Sequence, residues 1–437
     1  MSGTPPHTPL LSGSDADAAR EALAAVTRDL GAAPAPDHPG DLALQALLAA
    51  YVRRAGAAAG DAALAAAARL PALDDAIARL AEADLGFALH RGFTEVAWVV
   101  AHLRRGETDV DESLAAVDAA LLDLLARPWE GPFDLAFGLV GIGTYALERW
   151  PSPVAAALLD GAMHQLDTLA EPSGVGRALR TPPSLADLYG VPAALRQSFS
   201  ADGYFELGMA HGVGGAVSML SRAVRAGGEG GAAGAGAVRA AARAGHRLLE
   251  DLVSWLVAAG RPEGAEWAFP GRLSLDLAMS EEHRRASWCK GDPGVALALL
   301  HAGRALGRAD LRRRGLEVAR RVAALPPERS GVPDACLCHG ALGLGHVLRR
   351  VHEASGDPAF REAAVRWTQA ALALREPGRG TGGFVARFHR DDGTVHEAQD
   401  SSFLTGSVGI GLALAAAVST VEPGWDALLL ANPGGAA

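Results

Sequence analysis

Two short segments gather the residue types that hold soft metal ions. They are Trp288-Cys289-Lys290-Gly291-Asp292-Pro293-Gly294 and Leu337-Cys338-His339-Gly340-Ala341-Leu342-Gly343. In each, a cysteine stands two residues before a Gly-x-x-Gly, and the second segment adds a histidine. Thiolate sulfur and imidazole nitrogen are favoured zinc ligands, at about 2.3 Å and about 2.0 Å. Cys289, Cys338 and His339 therefore make a three-ligand zinc set, and three protein ligands leave a fourth position open for chemistry. A lone cysteine is more often a small buried hydrophobe and a lone histidine a cap. The matched offset of two cysteines, with an adjacent histidine, favours the metal. Cys336 has no counterpart at its offset and reads as packing, although an extended Cys336–Cys338 stretch would turn both side chains to one face.

The Gly-x-x-Gly is a repeat that opens a helix. It occurs at Gly138/Gly141, Gly212/Gly215, Gly291/Gly294, Gly340/Gly343 and Gly406/Gly409, with a degenerate copy at Gly92, where Glu95 replaces the second glycine. Taking the first glycine as origin aligns the copies. At minus two stand His90, Ala136, Ala210, Cys289, Cys338 and Leu404; at minus one stand Arg91, Phe137, His211, Lys290, His339 and Thr405. Equivalent positions of stacked repeats share a level. The register thus puts both cysteines at one level of adjacent repeats, and brings His211 to the same end. His211 is a candidate acid/base, against a structural role for a glycine-flanked histidine. Asp134 is a candidate to orient that histidine, or a helix cap. Arg285 is a candidate to stabilise a developing oxyanion, or a surface charge beside Arg284. His90 shares the cysteine level.

The elements that must position these residues are helical almost throughout. The chain has 437 residues, is 49% hydrophobic and only 5% aromatic, and is rich in Ala, Leu and Gly. Ser14 and Asp17 suit a capping-box-like start of a helix to about Leu30, and Asp41–Arg54, Asp61–Leu70 and Asp74–Leu80 suit further helices. After the glycine pairs, apolar stretches such as Val295–Leu300 and Leu344–Leu348 read as inner helices. Asp109–Leu125, Val238–Leu256 and Leu311–Leu325 read as amphipathic outer ones. Such pairs must stack to bury their apolar faces. Closed into a ring they make an α/α toroid, and left open a solenoid. Leu169–Leu207, with its prolines, glycines and aromatics, reads as an inserted excursion over one mouth. Gly382–Phe388 followed by Asp392-Gly393-Thr394-Val395 reads as a β-hairpin, and Gly227–Gly236 as a Gly/Ala-rich loop.

A formal net charge of −10 argues against a nucleic-acid binder. No apolar run reaches membrane-spanning length and no signal peptide is evident, so a cytoplasmic protein is expected. Three cysteines suggest a reducing compartment rather than a disulfide framework. On the residues alone, two functions stand. One is an enzyme whose zinc activates a thiol or water, and the other a scaffold in which a closed zinc site staples two repeats. The unmatched offset of Cys336, the one nearby candidate for a fourth ligand, favours the open site.

At Gly208-Met209-Ala210-His211-Gly212, Trp288-Cys289-Lys290-Gly291-Asp292-Pro293-Gly294 and Cys338-His339-Gly340-Ala341-Leu342-Gly343 the chain resembles the lanthionine synthetase C-like family, the lanthipeptide cyclases. The segments stand in the family's order, and the ladder covers roughly Asp84 to Ala417. The resemblance implies an all-α fold, an α/α toroid with seven inner helices, as a single domain over residues 1–437 with an insertion near 169–207. It implies intramolecular addition of peptide Cys thiols to dehydroalanine or dehydrobutyrine, giving (methyl)lanthionine thioethers. By similarity, Zn2+ is held by Cys289, Cys338 and His339, His211 is the acid/base, and Asp134 and Arg285 support it. The implied substrate is a dehydrated precursor peptide supplied by a separate dehydratase, the chain itself being a stand-alone cyclase. Lys290 departs from the aromatic or histidine common at its position. Two other readings are a cyclase-like protein acting on free thiols such as glutathione, and a non-catalytic zinc-stapled peptide-binding scaffold.

Overall fold

The computed structural model describes residues 7–67, 69–185, 202–229, 237–276, 279, 285–389 and 394–432. Among these residues are fourteen helices of eight residues or more: α1 (Gly13–Ala32), α2 (Pro39–Ala59), α3 (Leu73–Leu80), α4 (Phe93–Leu103), α5 (Val110–Leu125), α6 (Leu139–Glu148), α7 (Pro153–Leu169), α8 (Val213–Glu229), α9 (Ala237–Ala258), α10 (Asp292–Ala305), α11 (Ala309–Ala323), α12 (Ala341–Ser355), α13 (Pro358–Ala373) and α14 (Ser407–Val418). Even-numbered helices form an inner ring. Each packs on the next, and α14 returns to α2, so the ring closes with seven members. Odd-numbered helices lie outside: α3 on α2, α5 on α4, α7 on α6, α9 on α8, α11 on α10 and α13 on α12. The last inner helix, α14, takes α1 as its outer partner. This is the α/α toroid, and the closed ring excludes the solenoid.

Burial follows the sequence pattern. α14 buries every residue from Ser407 to Val418, as a helix that is apolar all round must. α5 buries Leu114, Asp118, Leu121 and Leu125, a single face at helical spacing, and leaves its acidic face to solvent.

The glycine pairs have a steric cause. Gly138, Gly291, Gly340 and Gly406 are helix N-caps with extended backbone, so positive φ is not what they supply. What they supply is a missing Cβ. A Cβ on Gly343 would stand 1.7 Å from the carbonyl oxygen of Leu337, and one on Gly409 1.9 Å from that of Phe403. The entry turn folds back over the first helical turn, and the carbonyl three residues before the first glycine lands on the second.

These turns are laced into a belt by backbone hydrogen bonds between minus-two residues. His90 N–H donates to Ala136 O (3.0 Å), Ala136 to Ala210 (3.3 Å), Ala210 to Cys289 (3.1 Å), Cys289 to Cys338 (3.4 Å) and Cys338 to Leu404 (2.8 Å). The level deduced from the repeat is thus a physical object.

Several sequence expectations need correction. α1 begins at Gly13, one residue earlier than Ser14; its N-cap is Ser12, whose side chain makes no capping bond. α2 runs from Pro39 to Ala59, longer at both ends than Asp41–Arg54, because Pro39 suits the first turn and His38 Nδ1 accepts from Gly40 N–H. It is the inner helix with neither a full nor a degenerate copy of the glycine repeat among those aligned. The helix expected over Asp61–Leu70 is present as the short helix Ala62–Ala67; residue 68 lies outside the described residues. Gly227–Glu229 belong to α8 rather than to a loop; the rest of that expected loop, 230–236, lies outside the described residues.

In the 169–207 stretch the described part holds two short strands, β1 (Glu171–Pro172) and β2 (Arg177–Ala178), paired with each other. It ends in β3 (Tyr204–Glu206), which pairs antiparallel with β4 (Arg272–Ser274). Residues 186–201 lie outside the described residues. The expected hairpin is present as β5 (Ala386–His389) and β6 (Val395–Ala398); its Asp392-Gly393 turn lies outside the described residues.

One element has no counterpart in the sequence reading. After α14 the chain makes a short 3-10 helix, Gly424–Leu429, that is buried against the inner ring. Asp426 accepts from Arg350 Nε (2.5 Å) and is 2.9 Å from His346 Nε2, both on α12. Trp425 N–H donates to the Tyr51 hydroxyl of α2 (3.1 Å), and Trp288 Nε1–H donates to Leu429 O (2.9 Å). The segment ties together helices from opposite sides of the ring. Among the described residues no helix is long and apolar enough to cross a membrane.

Candidate metal centre

The entry turns of α10 and α12 carry the two cysteines, and the belt joins them directly through Cys289 N–H and Cys338 O. The ligand atoms of Cys289, Cys338 and His339 all lie within 4.8 Å of one another. Two sulfurs bonded to one tetrahedral zinc at about 2.3 Å stand about 3.8 Å apart, so the spacing and the donor types fit zinc.

The two thiols lie close enough to act on one another, and the pair favours one negative charge. Interaction with Cys338 pulls Cys289 well below the usual thiol range; burial opposes this, and His339 and Arg285 assist it. The same interaction, then burial and the charge on Cys289, push Cys338 well above that range. A cation placed here removes the mutual penalty, which is the behaviour expected of a thiolate ligand pair.

A second group, Asp334, Cys336 and His339, also lies within 4.8 Å. Here the carboxylate is already engaged: Asp334 accepts from Cys336 N–H (3.0 Å) and, through its other oxygen, from Arg387 N–H of β5 (3.0 Å). Burial, then the Asp334 charge, pushes the Cys336 thiol well up. Asp334 fixes the turn that presents Cys338 and His339. Its carboxylate is spent on backbone, which disfavours this group as the ion's ligands.

His211 lies one rung away, beside Ala210, whose N–H is bonded to Cys289 O. His211 Nδ1 is 2.9 Å from Asp134 Oδ2, and Asp134 is fully buried. The other Asp134 oxygen accepts from Phe137 N–H at 2.7 Å, and the Phe137 ring stacks on the imidazole at 5.6 Å and 16°. Asp134 thus closes a local turn beside His211, but it is not the helix cap weighed for it: the N-cap of α6 is Gly138, which receives no side-chain capping bond. With Nδ1 directed to the carboxylate, proton chemistry falls to Nε2. Arg285 is partly buried and its charge acts on both thiols. His90 shares the belt but is buried. Its Nδ1 is 3.5 Å from Glu95, and its ring stacks on Phe403 at 6.1 Å.

Two charged residues beside the site escaped the sequence reading. Glu206 is fully buried and accepts from Arg272 Nε, its partner across β3–β4. The register held a signal for Glu206. It stands six before its glycine, as Arg285, Asp334 and Asp400 do in their own copies. Arg272 had none, because its pairing depends on a strand contact distant in sequence.

Residues 46–430 match the family model described as lanthionine synthetase C-like protein. Thirteen chains of solved structures match the fold. One is nisin cyclase, with a TM-score of 0.61, 16% identity and 90% of each chain covered. No functionally curated protein sequence matches the chain.

Proposed function

The chain belongs to the lanthionine synthetase C-like family, and from that premise we propose that it is a zinc-dependent lanthipeptide cyclase. It adds the cysteine thiols of a dehydrated precursor peptide to dehydroalanine or dehydrobutyrine. The family and the toroid support a cyclase-like function. The observation that carries the finer reading is the convergence of two thiols and an imidazole from consecutive rungs beside an oriented His–Asp dyad.

Cys289, Cys338 and His339 would hold the ion, which when bound lowers the pKa of the incoming peptide thiol into the neutral range. The other steps fall to this chain's side chains. Addition of sulfur to the β-carbon places negative charge on the α-carbon and its carbonyl oxygen. His211 delivers a proton to the α-carbon from Nε2, with Asp134 holding the ring in the required tautomer. Arg285 supplies positive charge that stabilises this developing negative charge. Three free cysteines agree with a reducing, cytoplasmic setting.

The test uses a dehydrated peptide containing cysteine and dehydroalanine, with loss of alkylatable thiol as readout, because the addition leaves the mass unchanged. Wild type is expected to consume thiol and His211→Ala to lose that activity. Equal consumption by both refutes the role of His211. Consumption of free glutathione instead of the peptide thiol moves the reading to intermolecular addition. Stoichiometric zinc with peptide binding and no turnover moves it to a scaffold.

A further inference from the structure

Lys290 follows Cys289 directly, yet its ammonium is not aimed at the thiols. Its Nζ lies 4.0 Å from Glu206 Oε1, and its side chain keeps about a quarter of its surface exposed. Glu206 is already matched by the buried Arg272. Arg272 and Lys290 thus both approach the one carboxylate of Glu206, and Lys290 is the farther and more exposed of the two.

Position sharpens the point. Lys290 belongs to the entry turn of α10, with Cys289; Glu206 belongs to the entry turn of α8, with His211. Gly208 presses the two turns together: a Cβ there would stand 2.1 Å from Cys289 O and 2.6 Å from Lys290 Cα. The lysine stem thus starts on the thiol side and its ammonium ends on the His211 side. The entry turn that carries Glu206 also carries His211, so the ammonium is held at the junction of the two turns.

We propose that Lys290 is a further catalytic residue, donating a hydrogen bond to the carbonyl oxygen of the dehydro residue as that oxygen becomes negative. Glu206, held by Arg272, is its positioning residue. This rests on the cyclase reading. In the step, the sulfur lone pair forms the S–Cβ bond and the Cα=Cβ π pair moves onto Cα and the carbonyl oxygen. A proton then returns to Cα from His211, replacing the one lost by the thiol. Lys290 keeps its own protons, and no oxidant or reductant is consumed.

The experiment compares zinc-loaded full-length wild type, Lys290→Met and Lys290→Arg on the dehydrated peptide. Loss of one oxyanion donor costs about 10²–10³-fold in kcat. Lys290→Met is expected to show that loss, with KM within about threefold, unchanged zinc stoichiometry and unchanged Tm, and Lys290→Arg to recover most of the rate. A kcat for Lys290→Met within threefold of wild type overturns the proposal. So does a change confined to KM, which marks a peptide anchor, or a loss of zinc, which marks a structural role. Wild type that leaves the peptide thiol intact overturns the cyclase reading itself, and this assignment with it.

Discussion

Replacing Gly343 by alanine tests the ladder at its tightest rung. The added Cβ would stand 1.7 Å from Leu337 O and 2.5 Å from Leu337 C, both backbone atoms. Ordinary contact needs about 3.2 Å, so the entry turn must retreat by about 1.5 Å, and that turn carries Cys338 and His339. Overpacking of a rigid interior costs about 1–3 kcal/mol and occasionally more; with backbone on both sides, about 3 kcal/mol is expected. An unfolding entropy of about 2.1 cal/mol/K per residue over 437 residues converts this to a Tm drop of about 3 °C. Gly409→Ala supplies the control. Its Cβ would meet Phe403 O at 1.9 Å, the same backbone clash in a rung without ligands; its other contact, Leu337 Cδ1 at 2.8 Å, is the end of a flexible side chain that can turn aside. Both variants should lose similar stability by thermal scan, and only Gly343→Ala should lose zinc affinity in a chelator competition. Unchanged Tm in Gly343→Ala, or equal loss of zinc in both, refutes the account of the repeat.

Three further outcomes follow from the geometry. Asp134→Asn keeps the shape of the turn but loses the charge behind His211, and should reduce thiol consumption by about 10²–10⁴-fold with zinc content unchanged, measured by alkylation kinetics and metal analysis. Cys289→Ala should lose stoichiometric zinc while Cys336→Ala retains it, because the Cys336 thiol faces the spent carboxylate of Asp334; reversed metal contents would exchange their roles. Burial works to raise the Asp426 carboxyl, but Arg350 and then His346 hold it below its ordinary value of 3.8. A depressed acid stabilises the fold fully above its unfolded pKa, and that share is lost as pH falls below about 3.8. Denaturation followed from pH 6 to pH 3 should therefore show a steeper loss in wild type than in Asp426→Asn, and parallel curves would remove Asp426 from the acid response.

Much of the site was legible because the chain repeats itself. The glycine origin aligned six entry turns, and the belt bonds follow that alignment residue for residue from His90 to Leu404. The same register, extended to minus six, would have singled out Glu206 and Asp334. The seventh inner helix was legible as a helix over Asp41–Arg54 but not as a member of the ring: α2 starts on Pro39 and lacks the paired glycines that mark the others. Arg272 and the segment Gly424–Leu429 were hidden for another reason. Glu206 meets Arg272 through the β3–β4 pairing, and Tyr51, Arg350 and Trp288 meet the segment through the packing of the ring; local sequence carries no trace of such meetings.

The pairing of α1 with α14 sets an order of events in the making of this protein. α1 is synthesised long before α14, the inner helix that it packs against. Until then the growing chain holds an open stack with an uncovered face at each end. Closure must join segments far apart along the chain, a kind of contact that is slow to form and exposed to misassembly. The rungs bearing Cys289, Cys338 and His211 lie in the interior of that stack, so they can be assembled before the ring shuts.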